Sequence, residues 1–376
     1  MSKHQKHTNL VRRNNGIYAN NEISILGVKC SIISDLVYKI AKKNQKKAKI
    51  AYLDASHSDT VESPILDTFT FHHSGNLDLN SKYELNKFNA RIQLAQYDLV
   101  CINGNHYQGE KQVLILDNEK EASVKKRVHQ LTNVQFVIKM SPESNYFDFL
   151  ENAIPNIKEL PCYAIDDIEK ISNHLGGLIE SNIPDIQGLV LAGGQSTRMG
   201  ADKGLLEYHG ISQREFLYQI FQDLFPRKEE GQLGSYYSVR QHQDISGNSI
   251  VDKFKGLGPF GGICSAFQEN PNTAWLVIAT DVPFVSEEKI SLLLKHRNPS
   301  KIATTFKGKN KEFPEPLITI WEPKAYPLLL QYLSQGYSCP RKVLINSDVE
   351  IVEIEDDFIR NINTPQEFEE AKKELK

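Results

Sequence analysis

The stretch GLVLAGGQSTRMGADKGLLEYHG, from Gly188 to Gly210, opens on an apolar run, breaks at two glycines, continues through a polar loop and closes on Leu205 and Leu206. The run Leu189–Ala192 reads as the end of a buried strand. Gly193 and Gly194 let the backbone approach a ligand with no Cβ in the way, and turned amides there supply donors to phosphate oxygens. Lys203 can place a point charge on those phosphates, and Arg198 can fork onto a pyrophosphate. A glycine pair alone is usually only a turn. Following a strand, with Arg and Lys at short distances, it predicts a nucleotide-phosphate loop.

Outward from this loop, GSYYSVR, AWLVIATD, SKIATTF and EPLITIW read as strands, and REFLYQIFQDLF between them has helical spacing. The preceding half shows the same alternation. EISILGVKC, AKIAYLDA, YDLVCING and VQFVIKM are short and rich in branched residues, and SIISDLVYKIAKK is a helix with a basic last turn. CYAIDDIEKISNHLGGLIES predicts a helix begun at an Asp cap and finished near its glycines. NIPDIQ reads as a linker, which places the boundary near Pro184 and gives two domains, 1–184 and 185–376. Both are expected to be α/β.

A chain of 376 residues exceeds the usual size of one hydrophobic core. Its 40% hydrophobic and 24% charged residues exclude a disordered or fibrous chain. A net charge of -3 provides no basic field for nucleic acid. The five cysteines lack any CxxC spacing, which fits a reducing compartment rather than a disulfide framework or a zinc knuckle. The basic amino terminus is followed by no apolar segment of signal-peptide length, and no run of residues has membrane-spanning character. A cytoplasmic protein with no membrane partner is expected.

Two more stretches carry chemistry. WLVIATDVPF is an apolar strand that emerges into Asp281, a carboxylate at the carboxyl end of a strand, where open α/β sheets bind ligands. Such a carboxylate suits Mg²⁺, which takes one or two carboxylates and otherwise water and phosphates. Capping of the next turn is the alternative role. In IVDKFKGLGPFGGICSAF, Asp252 leads into Gly256, Gly258, Gly261 and Gly262, and this loop is either a close-approach element or a hinge before a helix.

The motifs LAGGQSTRMGADKGLL, VDKFKGLGPFGGI, VIATDVPF and NINTPQEF resemble, in this order, those of the molybdenum cofactor guanylyltransferases of the MobA type. The resemblance spans Ile186 to the carboxyl terminus and implies a nucleotide-diphospho-sugar transferase-like, Rossmann-like fold. It implies nucleotide contacts at Leu191, Ala192, Gly193 and Gly194, a phosphate lysine at Lys203, a guanine-nucleotide contact at Asp252, a metal ligand at Asp281, and acceptor-side asparagines at Asn361 and Asn363. GPF stands for the family's GPL, Arg240 or Gln241 stands where several members have Asn, and Glu315 stands where His or Gln is common.

The first domain resembles, more weakly, the MobB-type molybdopterin-guanine biosynthesis adaptor over Glu22–Glu180, as a degenerate P-loop-like α/β domain. Counting from Gly27 against G-x-x-x-x-G-K-[ST], Ile32 and Ile33 fall on the glycine and lysine, and only Ser34 matches. Two apolar side chains are therefore expected in the phosphate cradle, with Lys29 inside the loop rather than at the helix start. Docking or scaffolding is the expected role. His57, His72, His73 and His106 fit no metal-ligand spacing.

The resulting expectation is an enzyme that moves GMP from GTP to the phosphate of molybdopterin with Mg²⁺, releasing pyrophosphate. Molybdoenzymes or cofactor chaperones are its possible partners. Rivals are a transferase of the same fold that uses CTP or a sugar-phosphate acceptor, and a non-catalytic nucleotide-binding scaffold.

Overall fold

The computed structural model describes residues 9–56, 66–80, 86–194, 202–225, 234–240 and 247–375. The chain divides into two compact units, Asn14–Asn182 and Ile183–Lys376, the second also including residues 1–13. Both are α/β.

The first unit contains β1 (Glu22–Leu26), α1 (Cys30–Asn44), β2 (Ile50–Leu53), β3 (Thr68–Phe71), β4 (Leu77–Asn80), α2 (Lys87–Leu94), β5 (Leu99–Asn103) and β6 (Lys111–Leu116). It continues with α3 (Glu121–Lys126), β7 (Val134–Lys139), α4 (Asp148–Ala153), β8 (Cys162–Ala164) and α5 (Ile168–Glu180). Six strands in the order β2-β5-β1-β6-β7-β8 form one sheet, parallel throughout, while β3 and β4 pair only with each other. β1 and β5 are buried along their whole length, as a parallel sheet covered on both faces requires. The buried Glu22 carboxylate ties down the chain entering β1. It accepts from the amides of Ile17, Tyr18, Ala19 and Glu110 at 2.7–2.9 Å.

Two local expectations are corrected here. The turn from β1 to α1 is only Gly27-Val28-Lys29, and α1 starts at Cys30 with Lys29 in its N-cap position. Ile32 and Ile33 therefore lie within the first helical turns instead of a phosphate cradle, and Ile33 is fully buried. Gly27 makes the short turn possible. Its φ is 106°, and a Cβ there would lie 2.1 Å from the Ile115 carbonyl oxygen. The second correction concerns α5, which does not finish at Gly176 and Gly177. It passes through both and ends three residues later at Glu180, with Leu178 and Ile179 packed on the core beyond them, and Asp167 precedes it without a side-chain capping bond.

The second unit contains β9 (Ile186–Leu191), α6 (Gln213–Leu224), β10 (Ser235–Val239), β11 (Ser249–Val251), α7 (Pro259–Glu269), β12 (Ala274–Ala279) and α8 (Glu287–Lys295). It ends with β13 (Ala303–Gly308), β14 (Ile318–Trp321), α9 (Ala325–Ser334), α10 (Pro340–Ile345), β15 (Glu350–Ile354) and α11 (Pro365–Glu374). Its seven-stranded sheet runs β11-β10-β9-β12-β14-β13-β15. β14 is antiparallel to both neighbours, and the other pairings are parallel. Apolar layers cover both faces, one around Phe221, Leu276 and Phe306, the other around Phe260, Trp275 and Trp321.

Glu322, 1% exposed, follows β14 and is held by a two-pronged ion pair. Arg297 Nε and Nη2 donate to its oxygens at 2.7 and 2.9 Å, and Nη2 also reaches the Pro184 carbonyl at 2.8 Å. Arg297→Ala would strand this carboxylate in the interior. It is expected to cost about 3–5 kcal/mol of unfolding free energy, measured by chemical denaturation. A loss below about 1 kcal/mol would show that water replaces the arginine there.

Candidate active site

At the carboxyl ends of β9, β10 and β12 lies a cavity of about 420 Å³. Among the residues lining it are Leu191, Gly193, Gly194, Lys203, Ser238, Asp252, Gly258, Asp281 and Asn363. Its position is that of ligand sites in open α/β sheets.

Glycines set one wall. Gly261 and Gly262, in the first turn of α7, have no room for side chains: a Cβ at Gly261 would sit 2.3 Å from the Phe254 carbonyl oxygen, and one at Gly262 would sit 2.6 Å from Ser238 Oγ and 2.9 Å from Leu191. The loop is thus a close-approach element rather than a bland hinge. It seats α7 against β9 and β10 and turns its amino terminus, Gly258-Pro259, toward the cavity, where the helix dipole favours an anion. Ser238 donates to Asp252 Oδ1 at 2.7 Å, and burial pushes the Asp252 carboxyl above the usual aspartate range against that bond.

The opposite wall is assembled from three distant segments. Lys203 begins a 3₁₀ turn, Lys203–Leu205, in which the Gly204 amide donates to Asp202 Oδ1 at 2.9 Å. Its ammonium donates to Asn363 Oδ1 at 2.8 Å and lies 3.7 Å from Asp281 Oδ2. The Ile362 amide donates to the Asp281 carbonyl at 2.8 Å, pinning the terminal motif to the end of β12. Thr364, Pro365 and Glu367 of that motif form a capping box that starts α11 and fixes the backbone of Asn363, whose amide also donates to Glu367.

Asp281 is not a helix cap, since Ser286 fills that role for α8. Its Oδ1 is buried with no hydrogen-bond partner among the described residues, and burial raises its pKa despite Lys203. A buried carboxylate oxygen without a donor is suited to a cation.

The expected site residues do not all share one place. Leu191, Gly193, Gly194, Lys203, Asp252, Asp281 and Asn363 share the cavity. Ala192 does not line it; this buried residue donates its amide to the Ser238 carbonyl. Asn361 lines a second cavity of about 440 Å³ with Lys311, Glu315 and Arg341. Arg198 and Gln241 lie outside the described residues, and Arg240 stands beside Gly193.

The sequence reading missed Ser238, Leu317 and Arg341. Ser238, a polar residue near the end of the strand SYYSV, was a usable signal, whereas Leu317 depends on β14 running antiparallel and Arg341 on α10 lying near Glu315. Glu315 is buried, its Oε2 lies 3.5 Å from Arg341, and burial raises its pKa.

This arrangement gathers glycine backbone, a lysine and two carboxylates around one cavity of an α/β unit. Residues 188–350 match the family described as MobA-like NTP transferase domain. Among similar proteins, a molybdenum cofactor biosynthesis bifunctional protein of Synechocystis is 30% identical over 201 residues, 53% of this chain. The match spans 57% of that relative's length. A probable molybdenum cofactor guanylyltransferase of Flavobacterium johnsoniae is 25% identical over 48% of this chain and 92% of its own. The crystal structure of Bacillus subtilis MobB covers 42% of this chain and 97% of its own, at 14% identity and a TM-score of 0.32. No helix among the described residues is long and apolar enough to cross a membrane.

The Asp252 environment has a measurable consequence. A carboxyl whose folded pKa lies above its unfolded value costs stability wherever it is ionised. That cost is absent below the unfolded value of about 3.9 and complete above the folded one. Asp252→Asn, which keeps an acceptor for Ser238, is therefore expected to raise the melting temperature at neutral pH, with the gain shrinking as acid protonates the wild-type carboxyl. Melts across a pH series measure it, and a gain that is independent of pH would contradict the assignment.

Proposed function

We propose that the C-terminal domain transfers GMP from GTP to the terminal phosphate of molybdopterin, releasing pyrophosphate. The observation carrying this reading is the buried Asp281 Oδ1, unpartnered beside Lys203 in a cavity that also faces the amino terminus of α7. The names of the relatives support the donor and the acceptor.

An oxygen of the acceptor phosphate attacks the α-phosphorus of GTP, and the bond to the pyrophosphate leaving group breaks. The protein's part is positioning and charge neutralisation. The amides around Gly193 and Gly194 and the start of α7 orient the triphosphate. Lys203, held by Asn363, neutralises charge moving onto the leaving group, assisted by Arg198. Asp252, beside Gly193, holds the nucleoside end. The acceptor enters the second cavity, where Arg341 and Lys311 meet its phosphate near Asn361. Asp281 would hold Mg²⁺, which supplies charge neutralisation across the reacting phosphates. The N-terminal unit, with its three-residue turn in place of a phosphate loop, serves as a docking unit for cofactor-handling proteins.

Asp281→Asn is expected to keep the fold and lower turnover by about two orders of magnitude or more, measured as pyrophosphate release with GTP and molybdopterin. Near-wild-type turnover would remove Asp281 from the reaction. Donor choice is tested separately, by titration calorimetry of the purified chain with each nucleotide and Mg²⁺. A site that hydrogen-bonds one base edge leaves polar groups unpaired when another base enters, so GTP is expected to bind at least about tenfold more tightly than CTP, about 1.4 kcal/mol. Equal affinities, or tighter CTP binding, would favour the cytidylyltransferase alternative.

A further inference from the structure

The first unit holds a group of reactive side chains that nucleotide transfer does not use. Cys30 is the first residue of α1, half-buried, and His106 Nε2 lies 3.3 Å from its Sγ. Asn105 Nδ2 donates to the Val28 carbonyl at 2.8 Å and stands 3.7 Å from the same sulfur. Behind His106, Asp54 is held by Asn103 Nδ2 at 2.8 Å and the Tyr52 hydroxyl at 2.9 Å. Its carboxylate and the histidine attract each other.

Two glycines bring these groups together. Gly27 makes the tight turn that delivers Cys30 to the carboxyl edge of the sheet. Gly104 brings the loop carrying His106 against β1; its amide donates to the Ile25 carbonyl at 2.8 Å, and a Cβ there would lie 2.9 Å from Leu26 Cβ. The sulfur therefore faces the Asn105 amide donor, an imidazole nitrogen that can take a proton, and the positive end of a 15-residue helix. A thiolate, which only accepts hydrogen bonds, suits the amide donor and the helix end better than a thiol, and thiolate character governs cysteine reactivity.

We propose that His106 takes the Cys30 thiol proton and that Cys30 is a site of two-electron oxidation by hydroperoxides. In the step, Cys30 Sγ attacks one oxygen of hydrogen peroxide and the O–O bond breaks. The departing hydroxide takes the His106 proton and leaves as water. Sulfur is oxidised to a sulfenic acid, peroxide is reduced, and neutral imidazole remains. Asp54 steadies the imidazolium before the step.

Cys162 and Cys339 provide internal controls. Both are more exposed than Cys30, and Cys339 also precedes a helix, α10, yet neither has a histidine within hydrogen-bond reach among the described residues. The full-length chain is treated with limiting hydrogen peroxide in the presence of dimedone, and adducts are quantified at each cysteine by mass spectrometry. Cys30 is expected to be labelled at least about tenfold faster than Cys162 or Cys339. His106→Gln should lower the Cys30 rate to theirs without changing theirs, with circular dichroism confirming the fold. Pyrophosphate release from GTP should be the same in Cys30→Ser as in wild type, so this result and the transferase reading stand or fall separately. Labelling in order of exposure, or a Cys30 rate unaffected by His106→Gln, would overturn the proposal.

Discussion

The ammonium of Lys203 lies between Asn363 Oδ1 and the Asp281 carboxylate, joining segments that are 78 and 160 positions away from it along the chain. Each partner is placed by its own local device: a capped 3₁₀ turn for the lysine, the end of a fully buried strand for the aspartate, and a capping box for the asparagine. Asp281 is costly to bury as a carboxylate, and the lysine offsets only part of that cost. The fold thus holds a carboxyl whose ionised form is unfavourable at a point where a cation would relieve it.

Close packing does comparable work on the other side of the cavity. The first turn of α7 can sit on Ser238 and Leu191 only because Gly262 lacks a side chain, and on the Phe254 carbonyl only because Gly261 does. In the first unit Gly27 and Gly104 do the same for Cys30 and His106. In both units a chemically distinctive edge of the sheet is set by absent Cβ atoms.

Much of this was legible in the sequence. Apolar runs that end in glycine or Asp marked β9 and β12 and their carboxyl edges, because a strand buried on both faces must be apolar and must stop where polar chemistry begins. The grouping of Lys203, Asp252, Asp281 and Asn363 came from motif resemblance; no periodicity could have paired residues so far apart. Leu317 escaped because strand direction is not written in strand composition, and Arg341 because composition does not place α10 near Glu315. A phosphate cradle was sought at Ile32 and Ile33, but helix α1 had already begun, and the tight Gly27 turn that permits this depends on contact with β6. The glycines of α5 read as a stop signal, yet the helix runs past them, with Leu178 and Ile179 packed on the core.

The reversed strand β14 has a consequence for how such a domain diversifies. Because Ile318 pairs with Ile278, the residues entering β14 arrive at the edge that β12 leaves, so Leu317 lines the first cavity while Glu315, two residues earlier, lines the second. Asn363 and Asn361 divide in the same way. One chamber is furnished mainly by segments that exit parallel strands, the other by segments at the start of a reversed strand and before the final helix. Under the proposed reaction these are separate hereditary parts, so drift in the acceptor chamber can change what is modified while the chemistry of donor activation stays as it was.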